Sequence, residues 1–535
     1  MKLDLEGLKD KNFWESRGYE LPSFDIGKIA SDTLKEPEWL HFGAGNIFRA
    51  FPAVMQQRLI EKNLSGKGIV VVEAYDGEII EKAFAPYDNL AIAVTLPAEG
   101  DIKKRVVASV VRSVALPGNY DEVSRYFTSG ALKMVSFTIT EKGYALTGAG
   151  GETLPFIAED MRGGPEDAKS IIGVVTALCY LRYKAGARPL ALLSMDNCSH
   201  NGDRLFEAVV SFAEKWAEAG HFEDGFLSYI RDKNKVSFPL TMIDKITPSP
   251  SEKIKAVLER EGLTGMEIAV TAKNSYAAPF VNAEETEYFV VEDIFPNGRP
   301  ALEHAGTIFT SRDTVDKVEK MKVCTCLNPL HTILAVFGML LGYDSISGEM
   351  KDSLMVDFIK RAGYDEGMPV VVDPGIIDPK KFIEEVITKR FPNPFVPDTP
   401  RRIAFDTSVK IPVRFGETLK AYIGSGMPVS GLTYIPLFAA GWLRYLTGVG
   451  DDGEEFEPSP DPMLGTLREH LSGIKLGDTD TDIGERVRPI LSDKTIFGVD
   501  LYEHGLGEKT EKYFAEMLGG PGAVRRTLTR VVVRY

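Results

Sequence analysis

The segment Trp39-Leu40-His41-Phe42 is short, mostly apolar, and runs into a glycine-rich turn, GAGNIFRA. Beyond the turn, Phe51, Val54, Met55 and Leu59 recur at the three- and four-residue spacing of one helix face. Residues 68–73, GIVVVE, form a continuous β-branched run of the kind carried by a strand buried on both faces. Strand, turn, helix and strand make a βαβ unit with a right-handed crossover. Further strands are predicted at 91–96, 106–114, 132–140, 189–194 and 266–270, with an apolar helix at 170–183. This alternation predicts an α/β fold over residues 1–300. Past residue 300 helical patterns take over, at 300–342, 350–363, 380–390, 410–424, 433–447, 463–473 and 509–518. The acidic, proline-containing stretch 451–462 is expected to be a surface loop. A second domain, 301–535, is therefore expected to be mostly helical, with the binding site in a cleft between the two domains.

Composition narrows the function. In 535 residues, 62 Lys and Arg face 77 Asp and Glu, a net charge of −15. Nucleic acid and anionic membranes are poor partners for such a surface. Apolar residues at 44% and charged ones at 26% are ordinary globular values, which excludes disorder and fibrous repeats. Four cysteines (Cys179, Cys198, Cys324, Cys326) do not make a disulfide framework. The first twenty residues are charged throughout and lack the apolar core of a signal peptide. The apolar stretch 329–342 is shorter than the ~18 residues of a membrane span. A soluble, cytoplasmic protein, monomeric or a small homo-oligomer, is expected.

Four regions carry candidate chemistry. Gly43 and Gly45 match the first two glycines of the G-x-G-x-x-G turn that lets backbone approach a pyrophosphate, while Phe48 stands at the third. Arg49 either reaches phosphate or lies on the solvent face. Glu73 ends the second strand, where an acid can accept from ribose hydroxyls and repel a 2′-phosphate, with Asp76 as the competing candidate. In VEKMKVCTCLNPLHT, Glu319 and Lys322 share a helix face, as do Asn328 and His331. Pro329 predicts a helix ending near Leu327, with Asn328 as N-cap of the next helix and Pro329 at its first position. The plainer reading is a surface ion pair, a cap and a core histidine. Cys324 and Cys326 point to opposite helix sides and lack a fourth ligand at zinc spacing, so no metal is expected. SMDNCSHNGD (194–203) follows a buried strand as ligand loops do, or is an Asx-rich turn. In RRIAFDTSVKIPVR (401–414), Arg402 and Lys410 either grip a carboxylate or snorkel at the surface.

Together these segments resemble the polyol-specific long-chain dehydrogenase family, also called the mannitol dehydrogenase family. The resemblance is carried by GAGNIFRA (43–50), TEKGY (140–144), SMDNCSHNG (194–202), FPLTMIDKITP (238–248), VEDIFPNGRP (291–300), EKMK with CLNPLH (319–331) and RFPNPFVPDTPRRIAFDTSVK (390–410). It implies a Rossmann-like doubly wound sheet followed by a helical domain, and metal-independent, NAD(P)-linked hydride transfer at a secondary alcohol or ketone, with Glu73 favouring NAD. On this resemblance Lys322 is the general acid/base and Glu319 its proton relay. Asn197 and Asn328 are the oxyanion donors, and His331, Asp244, Arg402 and Lys410 contact substrate. Gly43, Gly45, Asn46, Phe48, Arg49, Glu73, Asp76, Thr140 and Glu141 lie with the cofactor. The likeness is greatest to members interconverting D-fructuronate and D-mannonate. Tagaturonate or a neutral polyol such as mannitol is the alternative substrate, and a non-catalytic nucleotide-binding regulator the alternative class. One departure stands out: the family has five residues from lysine to asparagine, and here there are six.

Overall fold

The computed structural model describes residues 1–148, 150–477 and 483–533. The chain divides into two compact units, Met1–Asp316 and Lys317–Tyr535.

The first unit is built on six strands: β1 (Trp39–Phe42), β2 (Ile69–Glu73), β3 (Val110–Ala115), β4 (Met134–Phe137), β5 (Leu190–Ser194) and β6 (Val236–Ser237). Helices α1 (Asn46–Ala50) and α2 (Pro52–Glu61) join β1 to β2, and α3 (Tyr120–Phe127) precedes β4. Between β4 and β5 lie α4 (Thr140–Tyr144) and α5 (Ile171–Lys184), and α6 (Asn201–Glu218) leads to β6. The strands are ordered β3-β2-β1-β4-β5-β6, and each pairs with its neighbours in parallel. The order reverses between β1 and β4, so the loops after those strands open onto the crevice where doubly wound sheets bind ligands.

Successive side chains of each strand enter different cores, as a two-residue period requires. Leu40, Phe42, Val70, Val72, Val135 and Phe137 pack in one core with Phe127 of α3, Val175 of α5 and Val209 of α6. Trp39, Ile69, Val71 and Met134 pack in the other with Phe48 of α1 and Met55 and Leu59 of α2. The sheet is thus covered on both faces, which is why its strands read as unbroken apolar runs.

Several predicted boundaries are corrected. Residues 106–114 are not one strand but the end of Lys103–Val107 and most of β3, in two different sheets. The ladder stops between them because the Ala108 N–H donates to the Gln57 side chain (2.7 Å) and the Ser109 hydroxyl to the Ala53 carbonyl (2.6 Å). The strand expected at 266–270 shrinks to Ala269–Val270, paired with Tyr276–Ala277. Residues 138–140 leave the β4 ladder and enter α4. A three-stranded sheet of β7 (Thr241–Asp244), β8 (Tyr288–Glu292) and β9 (Ile308–Thr310) was not foreseen.

The second unit is helical. It is entered through a 30-residue stretch, Arg312–Leu341, whose first five residues belong to the first unit. The stretch consists of α7 (Arg312–Met321), a π-turn at Lys322–Cys326 and α8 (Asn328–Leu341). One 18-residue window of it is apolar enough to cross a membrane, but 67% of that window is buried inside the protein, as in a core helix. Further π-turns lie at Arg361–Gly367, Val386–Arg390 and Pro412–Gly416. The last separates α9 (Thr407–Ile411) from α10 (Glu417–Gly424). Pro412 has no N–H for the carbonyl four residues back and its ring presses on that carbonyl, which a wider turn relieves. Every residue of α11 (Tyr434–Leu446) is buried. The Glu366 carboxylate closes its first turn, accepting from Tyr434 and Ile435 N–H (both 2.8 Å). The stretch 451–462 is more than a surface loop. Buried Asp451 accepts from Val524 (2.7 Å) and Arg525 (3.2 Å) N–H at the start of the helix Ala523–Val532.

Candidate active site

In the first unit the turn after β1 has the form a phosphate needs. Gly43 sits at φ +108°, and a Cβ there would lie 2.2 Å from the Thr138 carbonyl oxygen, so both conformation and proximity to β4 demand glycine. At Gly45 a Cβ would meet nothing within 4 Å, leaving the backbone open to approach. No side chain caps the first turn of α1. These features fit a dinucleotide pyrophosphate. Phe48, at the third glycine position, is fully buried and stacks on His41 (ring centroids 4.1 Å apart, 11° between planes). Ring stacking thus does what close helix–strand packing does where glycine is present. His41 lies between the Ser136 (2.6 Å) and Thr138 (2.9 Å) hydroxyls, and burial pushes its imidazole down to about 3.

Arg49 is on neither of its two expected surfaces. It is 1% exposed, donates to the Ala278 carbonyl (2.6 Å), and its other terminal nitrogen donates to Asn46 Oδ1 (3.0 Å). Glu73 is buried, and its carboxylate accepts from the N–H groups of Ala44 (2.8 Å), Tyr75 (2.8 Å) and Asp76 (3.0 Å). It therefore ties the glycine turn to the end of β2. The Asp76 carboxylate accepts from the Thr271 hydroxyl (2.6 Å).

Across the switch point, Thr140 has φ +63°. The N–H groups of Ile139 and Thr140 (2.9 Å each) and the Tyr144 hydroxyl (2.6 Å) all donate to the Asp196 carboxylate, which fixes the TEKGY turn to the loop after β5. Glu141 is exposed and paired with Arg204 (2.7 Å). The same loop presents Asn197, which is exposed. Buried Asn201 donates to the carbonyls of Asp196 (2.9 Å) and Thr241 (3.1 Å), and so locks this loop to β7, whose last residue is Asp244. Asp196 and Asn201 were not singled out in the sequence. Their signal was the density of Asp and Asn directly after a buried strand.

In the second unit Lys322 opens the π-turn and is 3% exposed, with Glu319 one turn before it. The predicted cap is corrected by one residue. The break falls at Leu327 (φ −128°, ψ −61°), and Asn328 and Pro329 are already inside α8. The π-turn closes Leu327 N–H onto the Lys322 carbonyl (3.1 Å), five residues back. A π-turn takes up one residue beyond the α-helical count. The six-residue interval from Lys322 to Asn328 therefore turns the helix about as far as five residues of regular α-helix.

His331 lies on the first turns of α8, packed against Phe391 (5.1 Å between rings). Its Nε2 is 3.4 Å from Asp398 Oδ2 but makes no aligned hydrogen bond. Burial first, and then Arg414, Arg402, Arg390 and Lys410, hold the imidazole down to about 3, so it is neutral. Arg402 is paired with Asp398. Lys410 donates to the Ile403 (3.3 Å) and Phe405 carbonyls. Burial and then Arg414 push Lys410 down to about 8, against the pull of Asp406 and Asp461. Four cations thus converge around one neutral imidazole. Arg390 and Arg414 were not found from the sequence. Beside Arg414, Val409 (53%) and Val413 (45%) are exposed, so an apolar face of this segment is turned outward. Among the described residues no cluster of three or more His, Cys, Asp or Glu is arranged to hold a metal ion. Cys326 is buried with its thiol pushed up to about 12.

Residues 37–304 match the mannitol dehydrogenase Rossmann domain, and residues 314–517 the mannitol dehydrogenase C-terminal domain. The D-mannonate oxidoreductase of Thermotoga maritima is 49% identical over 100% of this chain and 99% of its own. A mannitol 2-dehydrogenase of Cereibacter sphaeroides is 29% identical over 86% of this chain and 90% of its own. Among solved structures, the Pseudomonas fluorescens mannitol 2-dehydrogenase in ternary complex with NAD and D-mannitol covers 100% of both chains at 25% identity, with a TM-score of 0.71. A substrate-free D-sorbitol dehydrogenase shares the fold, with a TM-score of 0.78 at 23% identity over 96% and 97% of the two chains.

Proposed function

The chain belongs to the mannitol dehydrogenase family, and on that premise we propose that it is an NAD-dependent oxidoreductase of sugar acids, interconverting D-fructuronate and D-mannonate. The observation that carries the substrate is the group of cations Arg402, Lys410 and Arg414 around neutral His331, among which Arg414 has no acid partner for a substrate carboxylate to compete with. The 49% relative named for D-mannonate supports the same choice.

The glycine turn and Glu73 would hold NAD, with the acid disfavouring a 2′-phosphate. When bound, NAD(H) supplies or takes the hydride. Lys322 gives its proton to the ketone oxygen during reduction and takes it back during oxidation, with Glu319 relaying it. Asn197 and Asn328 donate hydrogen bonds to the oxygen as its charge develops. His331 and Asp244 hold the substrate hydroxyls.

NADH oxidation measured with D-fructuronate, D-tagaturonate and D-fructose tests this reading. Fructuronate is expected to give the highest kcat/KM. Fructose outrunning both uronates would instead match the relatives named for mannitol, and NADH binding without turnover of any ketose would mean a regulatory protein.

A pH profile follows from Lys410. Its charged form is disfavoured, so it is protonated below about 8 and loses its charge above that. The kcat/KM for the uronate is therefore expected to fall as pH rises through about 8. In Lys410→Arg, whose charge persists, the fall moves to higher pH. A fall at the same pH in that variant assigns it to another group.

A further inference from the structure

We infer that Arg414 is the residue that receives the substrate carboxylate and so sets the preference for sugar acids over neutral ketoses; this rests on the sugar-acid reading above. Arg414 lies on the π-turn Pro412–Gly416, one turn beyond Lys410. One terminal nitrogen of its guanidinium, Nη1, donates to the Asn328 carbonyl (3.4 Å) and to the Thr332 hydroxyl. Among the described residues Nη2 and Nε make no hydrogen bond, and no carboxylate lies within ion-pair distance.

That arrangement is unusual for the cations of this unit. Arg402 is paired with Asp398, Arg361 with Asp365, and Arg525 with Asp352. Arg444 is buried without an acid partner, but its nitrogens are spent on the Met517, Val449 and Gly450 carbonyls and the Thr447 hydroxyl. Arg402 also leaves part of its guanidinium unbonded, but its charge is met by Asp398; Arg414 has one side of its planar fork uncommitted, no acid partner, and surroundings that disfavour an isolated charge. The groups facing it add to that imbalance. Lys410 repels it, and both cations act on the same His331.

The anchor matters as much as the charge. Asn328 and Thr332 are on the first turns of α8, the helix that carries His331. A guanidinium fixed to that turn holds a bidentate carboxylate at a set distance from Asn328 and His331, and so positions the reacting carbon, four carbons further along the chain. A neutral ketose has a hydroxymethyl group at that end. It gains nothing from the fork and leaves the charge uncompensated.

The test compares kcat/KM for D-fructuronate and D-fructose, at saturating NADH, in wild type, Arg414→Gln and Arg414→Lys. Arg414→Gln is expected to lose about 100-fold with fructuronate while the fructose value holds to within about threefold. Arg414→Lys, which keeps the charge but not the fork, is expected to fall in between. If the variants lose both substrates equally, Arg414 only braces α8 and the inference is overturned, with the sugar-acid reading intact. If Arg414→Gln does not fold, an unchanged substrate ratio in Arg414→Lys overturns it on its own. A wild-type enzyme without preference for the uronate removes the sugar-acid reading first.

Discussion

Lys322→Ala is expected to lower kcat by about 10²–10⁴-fold while NADH affinity stays within about twofold of wild type. The side chain is 3% exposed and opens a π-turn, a position where a helix presents a side chain from a widened backbone. Reduction of a ketone needs a proton at the oxygen as hydride reaches the carbon, and a buried ammonium supplies one without recruiting water. Alanine removes the donor and nothing of the glycine turn, so the loss falls on turnover and not on cofactor binding. Stopped-flow fluorescence of NADH gives the affinity, and steady-state absorbance gives kcat. Undiminished turnover of the variant at neutral pH would remove Lys322 from the mechanism.

The largest expected effect on stability is elsewhere. Arg182→Met is expected to destabilise the first unit by about 3–5 kcal/mol. Arg182 is fully buried on α5, and all five of its N–H donors are used. They bond the carbonyls of Phe127 (2.7 Å), Ser129 (2.8 Å), Leu132 (3.1 Å), Arg188 (3.0 Å) and Pro189 (2.8 Å). These carbonyls belong to the connections that enter β4, a strand of the switch point, and its neighbour β5. Methionine fills the space and leaves the Phe127 and Pro189 carbonyls without donors, each worth about 1–3 kcal/mol when buried and unmet, while the Ser129, Leu132 and Arg188 carbonyls fall back on Leu132 N–H, the Asn297 amide and the Tyr229 hydroxyl. Relief of the desolvated charge offsets part of that sum. Urea unfolding followed by fluorescence reports it, because Trp14, Trp39 and Trp216 are all buried in this unit. A midpoint equal to wild type would show that water replaces the lost donors.

The parallel sheet was legible because a strand covered on both faces has no polar alternation to confuse it, and β1, β2 and β5 stand out on that ground. What the same rule hides is a change of sheet inside an apolar run, as at Ala108-Ser109, where the cause is a distant Gln57 side chain. Two-residue strands such as β6 carry too little pattern to find. At the candidate site, Lys322, Asn328 and His331 were singled out through spacing together with a family resemblance. Arg49 was misjudged because its partner, the Ala278 carbonyl, is 229 residues away in sequence. Arg414 was missed because an arginine four residues after a lysine reads as solvated surface. Only the exposure of Val409 and Val413 shows that the face is turned the other way.

The widened turn at Lys322–Cys326 also bears on how this helix can vary. A residue added to a regular helix swings everything downstream by about 100°, which would carry Asn328 and His331 off to another side. Lodged in a π-turn, the same addition is absorbed where it occurs. Lys322 and the residues that follow it on α8 can then differ in count along the chain and still keep their bearing, so sequence spacing alone is a poor guide to which of them share a face.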